Sequence, residues 1–452
     1  MNICFRTPVA GRQFCLTRNF HVSCSLLLSC AAFLFFVRSA RANLPPVVGE
    51  PTPHVAVGPG AVESSIRQIV RTLDGYVYIA AVDDQGGPAN GFKNPTYLRM
   101  YKSTTVGVPV AFTEVDRARR PRAARHSTLS GGDMRLDRTG MIHLVYYRTK
   151  DGATVYKRFD TNTDRWERTS TVVTTFSGRP GHTSYGARGR VINSIALDRE
   201  NTPFIAVGGE DGVKIFRKKS SEGWIEEALL SAAPSIHPAM TFDRLNRLHV
   251  AWLEDYNGES SIYYAMRDAA GAWSDVEMVF PGDATVLSNS NLDQSPSLAV
   301  DGQNQPVVLY LSGAPGQPDN FVQTRTMAAG MWIADDPPPI FSRTPGLYMR
   351  GDTKFVLLSR DSNLRHGYLT HKPEDAEWSA VVSFQPSAPP SAYDGSVSAR
   401  YDPAYEVDCT VVDVVYFDEA SDTRSVFKPD LYYAAIKLNE DAGNGSCREI
   451  FN

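Results

Sequence analysis

Carboxylates, arginines and one histidine recur at matching places along this 452-residue chain, at the ends of short alternating apolar segments. Asp83 with Asp84, Arg148, Glu210 with Asp211, Glu254 with Asp255, Arg360 with Asp361, and Asp418 with Glu419 each follow such a segment. Arg67, Asp133, Asn193, His237, Asp293 with Gln294, and Asp394 each precede one. Two carboxylates across a cleft can serve as general acid and as nucleophile or base on a glycosidic bond. His237 with a phenol such as Tyr256 can abstract and return a proton, with Arg148 or Arg360 neutralising a sugar carboxylate. Several carboxylates together could instead hold Ca²⁺. The competing reading is that these acidic loops are solvated or cap nearby backbone amides. The residues singled out for catalysis are Arg67, His237, Glu254, Asp255 and Arg360; those for binding are Asp83, Asp133, Arg148, Asp293, Asp394 and Asp418.

The segments between these residues are copies of one another. "LDRTGMIHLVYY", "LDRENTPFIAVG", "FDRLNRLHVAWL" and "VDGQNQPVVLYL" each begin a turn with an aspartate: Asp137, Asp198, Asp243 and Asp301. Three residues later stand Gly140, Asn201, Asn246 and Asn304. Gly and Asn tolerate positive φ, so the pattern predicts a tight turn closing on a left-handed residue. The alternation that follows, as in His249, Ala251 and Leu253 against Val250 and Trp252, has the period of a β-strand.

Each unit continues through a variable loop, a second strand and a tryptophan. Trp166, Trp224, Trp273 and Trp332 lie 29, 26, 30 and 31 residues after their turn aspartates, and Trp378 ends a fifth copy. Two further copies, one at each end, lack the tryptophan. Seven units of about four strands each cannot bury both faces alone, and radial stacking gives a β-propeller. The expected fold is therefore all-β, a propeller of four antiparallel strands per blade, with seven blades as the first choice and six or eight as alternatives because the end copies are blurred. A tryptophan at one fixed place per blade most simply packs between blades, contributing about 3 kcal/mol when buried. His143 and His249, six residues after their aspartates, have Phe204 and Val307 as counterparts, which favours a structural role. Because the tight turns crowd one face, the variable loops of the other face are where a ligand is expected.

Repeats of the form D-x-x-G/N-x-x-H-V-A, followed by Tyr-Tyr and G-x-W, resemble the secreted sialidase-like, BNR-type propeller proteins of bacteria. The resemblance spans nearly the whole chain after the leader. The S-x-D-x-G-x-x-W Asp box and the Arg-Ile-Pro motif of sialidases are not intact: Gly271–Trp273 keeps only the tail of the box, and Arg67 lacks Ile-Pro after it. Such propellers include glycosidases, polysaccharide lyases, lectins and binding proteins. The resemblance therefore implies glycan binding or processing through the acidic loop face, by a sialidase-like glycoside hydrolase or a polysaccharide lyase if enzymatic. The alternative is a non-enzymatic protein-interaction scaffold.

The N-terminus reads as a secretory signal: arginines without acidic residues, the apolar run "SLLLSCAAFLFFV", then Ala40-Arg41-Ala42 at a small-x-small cleavage site. The run is shorter than the roughly 20 residues needed to span a bilayer. Residues 1–42 are thus expected to be a signal peptide, 43–60 an extension, 61–438 one propeller domain and 439–452 a tail. The leader takes five arginines with it, so 46 basic residues become 41 against 50 acidic. That acidic balance argues against a nucleic-acid partner. Carbohydrate or an extracellular protein is the expected partner of a monomer in an extracellular or periplasmic setting. Only Cys409 and Cys447 remain after cleavage, and in an oxidising compartment they are expected to form a disulfide stabilising by about 3–4 kcal/mol. No metal-ligand motif appears in the sequence, nor any cofactor motif.

Overall fold

The computed structural model describes residues 4–5, 14–15, 55–59, 68–83, 97–118, 129–148, 152–175, 193–209, 211–219, 222–256, 259–281, 296–312, 321–337, 345–350, 352–358, 367–372, 376–380, 382–384, 407–409, 411–418, 430–437 and 447–449. The chain divides into two units, Met1–Pro46 and Val47–Asn452. In the first, Cys4–Phe5 and Phe14–Cys15 form a two-stranded antiparallel pair.

The second unit is an all-β, seven-bladed propeller. Blade 1 runs Ile69–Arg71, Val77–Asp83, Tyr97–Ser103 and Phe112–Ala118 from innermost strand to outermost. Blade 2 is Leu129–Leu136, Met141–Arg148, Ala153–Asp160 and Arg165–Thr175; blade 3 is Asn193–Leu197, Pro203–Gly209, Gly212–Lys219 and Gly223–Ser231. Blade 4 comprises Ser235–Phe242, Leu248–Tyr256, Glu259–Arg267 and Glu277–Phe280, and blade 5 Ser297–Val300, Pro306–Ser312, Phe321–Ala328 and Met331–Ala334. Blade 6 holds Pro345–Arg350, Thr353–Leu358, Gly367–Lys372 and Val382–Phe384. Blade 7 has three described strands, Val411–Asp418, Asp430–Lys437 and, outermost, Val55–Pro59 from the N-terminal side. Part of the segment read as an extension thus completes the last blade.

The repeated aspartates build the turns between the first and second strands. In each, Oδ1 accepts the amides two and four residues on: Thr139 and Met141 for Asp137, Glu200 and Thr202 for Asp198, Leu245 and Arg247 for Asp243, Gln303 and Gln305 for Asp301, all at 2.7–3.0 Å. The fourth residue is left-handed as expected, with φ of 86° at Gly140 and 60–63° at Asn201, Asn246 and Asn304. Asparagine adds what glycine cannot. The Arg199 amide donates to Asn246 Oδ1 at 3.0 Å, and the Arg244 amide to Asn304 Oδ1 at 3.3 Å, so the turns of blades 3, 4 and 5 are chained together.

The tryptophans pack across blade seams. Trp224 of blade 3 stands edge-on to Tyr156 of blade 2 at 5.1 Å, and Trp332 of blade 5 edge-on to Tyr264 of blade 4 at 5.0 Å. Three of the indoles also donate backwards, Trp224 to Thr171 Oγ1, Trp332 to Glu277 Oε2 and Trp378 to the Asp336 carbonyl. Trp252, outside the repeated position, is a fully buried core side chain.

The disulfide expectation is corrected. Val407–Cys409 pairs with Cys447–Glu449, and Cys409 stands opposite Cys447 in register, but no disulfide is present among the described residues. The expectation came from cysteine count and compartment, which do not dictate a bond. Backbone pairing already holds the two segments together.

Candidate functional site

His143 and His249 belong to the frame. His143 Nε2 meets Asp137 Oδ2 at 3.1 Å and its Nδ1 meets the Tyr156 hydroxyl at 2.7 Å; His249 repeats this with Asp243 at 3.2 Å and Tyr264 at 2.7 Å. Burial pushes both imidazoles below the usual histidine range, against the pull of their aspartates. Burial works to raise the Asp137 carboxyl, yet hydrogen bonds from His143, Thr139 and the Met141 amide hold it down at about 2. In blades 3 and 5, with Phe204 and Val307 in place of the histidine, burial prevails and Asp198 and Asp301 are raised. The histidine therefore draws the pKa of a buried turn carboxylate downwards.

At the other end of the innermost strands the polar residues are arranged differently. Asp133, Asn193 and His237 lie on the innermost strands of blades 2, 3 and 4, and all three are buried. Asp133 ties blades together: Oδ1 takes Arg135 Nη1 at 2.6 Å, and Oδ2 takes Ser194 Oγ at 2.8 Å and the Ile195 amide at 2.9 Å. Ser194 Oγ in turn accepts the Met240 amide of blade 4 at 3.0 Å, while Arg135 Nη2 donates to the Met240 carbonyl at 3.1 Å. This lattice fixes the three inner strands relative to one another.

His237 departs from regular strand geometry. Its φ is 56°, left-handed for a residue with a branched ring system and only 4% exposed. The ladder runs Ser235 to Glu254 and Ile236 to Leu253, then resumes at Ala239 to Ala251, so His237 and Pro238 together oppose Trp252. Such bulges re-aim side chains, and a non-glycine residue held left-handed stores about 1–3 kcal/mol of strain. Glu254 sits across the ladder two residues from His237, half-buried, with Oε1 held by Trp252 Nε1 at 3.0 Å. The carboxylate and the imidazole thus lie on paired strands at the same end of blade 4, and both are residue types that can carry a proton.

Asp255 follows Glu254 on the same strand, opposite Ser260. Asp83 and Arg148 end the second strands of blades 1 and 2, and Asp418 ends the first described strand of blade 7. The side chains of these four lie outside the described residues, as do Arg67, Asp293, Arg360 and Asp394 altogether. Tyr147 and Thr154 of blade 2 are buried register partners, and nothing in their types or spacing distinguishes them in the sequence from ordinary strand residues. Among the described residues no cluster of three or more His, Cys, Asp or Glu is placed to hold a metal ion. Among them, too, no helix is long and apolar enough to cross a membrane.

No protein-family model matches the chain, and no curated protein does. Among solved structures it is similar to the polysaccharide lyase Uly1, with a TM-score of 0.51 at 11% identity over 84% of this chain and 91% of that one. An α-L-arabinofuranosidase of Fusarium graminearum has a TM-score of 0.46 at 12% identity over 86% and 99% of the two chains. An α-L-arabinanase of Penicillium chrysogenum scores 0.45 at 10% over 87% and 99%. Identities of this size establish a shared β-propeller fold and nothing finer. The sialidase-like, BNR-type identification is accordingly corrected to β-propeller, its repeated aspartates and tryptophans being turn and seam residues of the blades.

Proposed function

We propose that this protein is a carbohydrate-active propeller of an extracellular or periplasmic setting, engaging a glycan at the face away from the Asp turns, over the inner strands of blades 2 to 4. The observation that carries this reading is the buried, left-handed His237, set in a bulge on the strand paired with that of the anchored Glu254. Backbone strain at a polar residue persists where the surroundings impose it, and such residues concentrate at working sites. Proton abstraction or donation at a sugar carbon or glycosidic oxygen is the chemistry these two groups suit, with His237 as acid or base and Glu254 as its carboxylate counterpart. The similarity in fold to a polysaccharide lyase gives uronate glycans the first place in a substrate panel. Arg67, Asp255 and Arg360 are proposed to complete the catalytic set, and Asp83, Asp133, Arg148, Asp293, Asp394 and Asp418 the rim that receives the chain. The test is incubation with a glycan panel, reading product release by mass and unsaturated products by ultraviolet absorbance. Turnover lost in His237→Ala and Glu254→Gln, with folding retained, is the expected result. Binding without product in the wild type would reassign the protein as a lectin, and neither binding nor product would make it a scaffold.

A further inference from the structure

Five of the six tryptophans occupy the repeated position of their blades; the sixth, Trp252, stands on the second strand of blade 4. At the same distance from their turn aspartates, blades 2, 3 and 5 place Tyr146, Val207 and Tyr310. All four side chains are buried, and each belongs to the apolar cluster that its blade shares with the preceding one. A valine or a phenol thus meets the packing need of this place, so seam packing alone does not account for an indole. Two residues further on, the same three blades have Arg148, Gly209 and Ser312 where blade 4 has Glu254. Of these four blades, only the one that carries the left-handed His237 combines a tryptophan with a carboxylate.

The surroundings of Trp252 hold its ring in one place. The His237–Pro238 bulge opposes it on the inner strand, and its register partner on the outer side, Tyr263, stacks against it at 6.2 Å with 20° between the ring planes. Facing it from blade 3, the same apolar cluster contains Phe204 and Ala206, and the next residue on that face is Gly208. Side chains thin out towards this end of the seam, which leaves the width an indole needs. Trp252 is accordingly 0% exposed, and its one polar atom, Nε1, donates to Glu254 Oε1 at 3.0 Å. Alternation puts Glu254 on the same face of the strand, beyond the ring. That glutamate is only half-buried and makes no other hydrogen bond among the described residues, so Oε2 remains for a ligand.

We infer that Trp252 is the positioning residue of the proposed site: its indole N–H fixes one oxygen of Glu254 so that the other is presented at the loop end of blade 4. The inference rests on the proposed carbohydrate reading and adds the group that orients its carboxylate. A glutamate without such a bond is free to change rotamer, whereas one held by a wedged ring keeps a single direction. Displacing a reacting group by about 1 Å can cost on the order of a hundredfold in rate, and a loss made only in the transition state leaves ground-state binding intact.

The experiment compares the full-length wild type, Trp252→Phe and Glu254→Gln on polygalacturonate, alginate and arabinan. Phenylalanine keeps a buried ring of the size that Tyr146 and Tyr310 supply in blades 2 and 5, and removes the N–H. In Trp252→Phe, kcat on the accepted glycan is expected to fall about tenfold to a hundredfold, with KM changed less than about threefold and cooperative melting retained. A second measurement needs no turnover: of the six indole N–H signals in a proton–nitrogen correlation spectrum, one is expected to be displaced in Glu254→Gln. An unchanged kcat in Trp252→Phe, or a change confined to KM, would overturn the inference and leave the carbohydrate reading intact. Six undisplaced indole signals in Glu254→Gln would overturn it even where Trp252→Phe does not fold. A wild type that releases no product from any of the three glycans would overturn it as well, and whether that protein still binds them decides the carbohydrate reading.

Discussion

Arg71 of blade 1 and Asp413 of blade 7 meet across the closing seam of the propeller, 342 residues apart in the chain, as a buried bidentate pair. Nε donates to Oδ2 at 2.9 Å and Nη2 to Oδ1 at 2.5 Å, while the Tyr433 hydroxyl donates to Oδ1 at 2.6 Å and Nη1 reaches the Gly75 carbonyl at 3.0 Å. Burial works against the guanidinium, and Asp413 beside it holds its pKa above the ordinary arginine value. The Val55–Pro59 strand joins the same blade, so closure rests on a backbone ladder and a charge clasp together.

Removing one partner of that clasp leaves a buried charge uncompensated. Asp413→Ala is expected to destabilise the protein by about 3–5 kcal/mol, whereas the double change Arg71→Met with Asp413→Leu costs far less. Chemical denaturation of the single and double variants checks this. Equal losses in both would show that packing, not charge pairing, closes the ring.

The buried histidines set a pH dependence. His143 and His249 are depressed below their ordinary value near 6.5, so the unfolded chain binds more protons below that pH. Their contribution is complete above about pH 6.5 and is lost as pH falls below it. Asp137, held at about 2, acts lower: its contribution is present above its ordinary value near 4 and is lost as pH falls toward 2. Urea melts at pH 5 and pH 7 should show the wild type weaker at pH 5. In His143→Phe with His249→Phe, the arrangement blade 3 already uses at Phe204, that difference should shrink. An unchanged difference would assign the dependence to other groups.

The seam tryptophans are predicted to matter for stability and not for ligand binding. Trp332→Ala is expected to cost about 2–4 kcal/mol through lost burial and the lost edge contact to Tyr264. Thermal melting and the glycan panel, run on the same preparation, separate the two effects. Lost glycan binding in a variant that still melts cooperatively would place the indole in the site.

The left-handed turn asparagines carry a conformational cost that glycine would not. Asn246→Ala should lose about 1–2 kcal/mol from its φ of 60°, and Asn246→Gly should recover most of it. Glycine loses only the bond from the Arg199 amide. Denaturation midpoints of the two variants make the comparison.

What could be read from the sequence was whatever repeats. Asp137, Asp198, Asp243 and Asp301 announce their turns because blades 2 to 5 each use a carboxylate to collect turn amides, and the tryptophans announce their seams through the same repetition. Features that occur once left no such trace. The Arg71–Asp413 clasp and the Val55–Pro59 strand join segments from opposite ends of the chain, which spacing alone cannot connect. The His237 bulge is a departure from the repeat, visible only once the ladder shows Ile236 and Ala239 out of step. The Cys409–Cys447 expectation failed because counting cysteines locates a pair without establishing a bond.

The most direct test of the account is to run the glycan panel on His237→Gly beside Asn246→Gly. Glycine accepts the left-handed backbone at both positions, so each variant should fold, and they alter opposite ends of the same blade. The account predicts that His237→Gly loses glycan binding and turnover while Asn246→Gly keeps both. Retention of full activity by His237→Gly, or its loss in Asn246→Gly alone, would contradict a ligand site at the end of the blades away from the Asp turns.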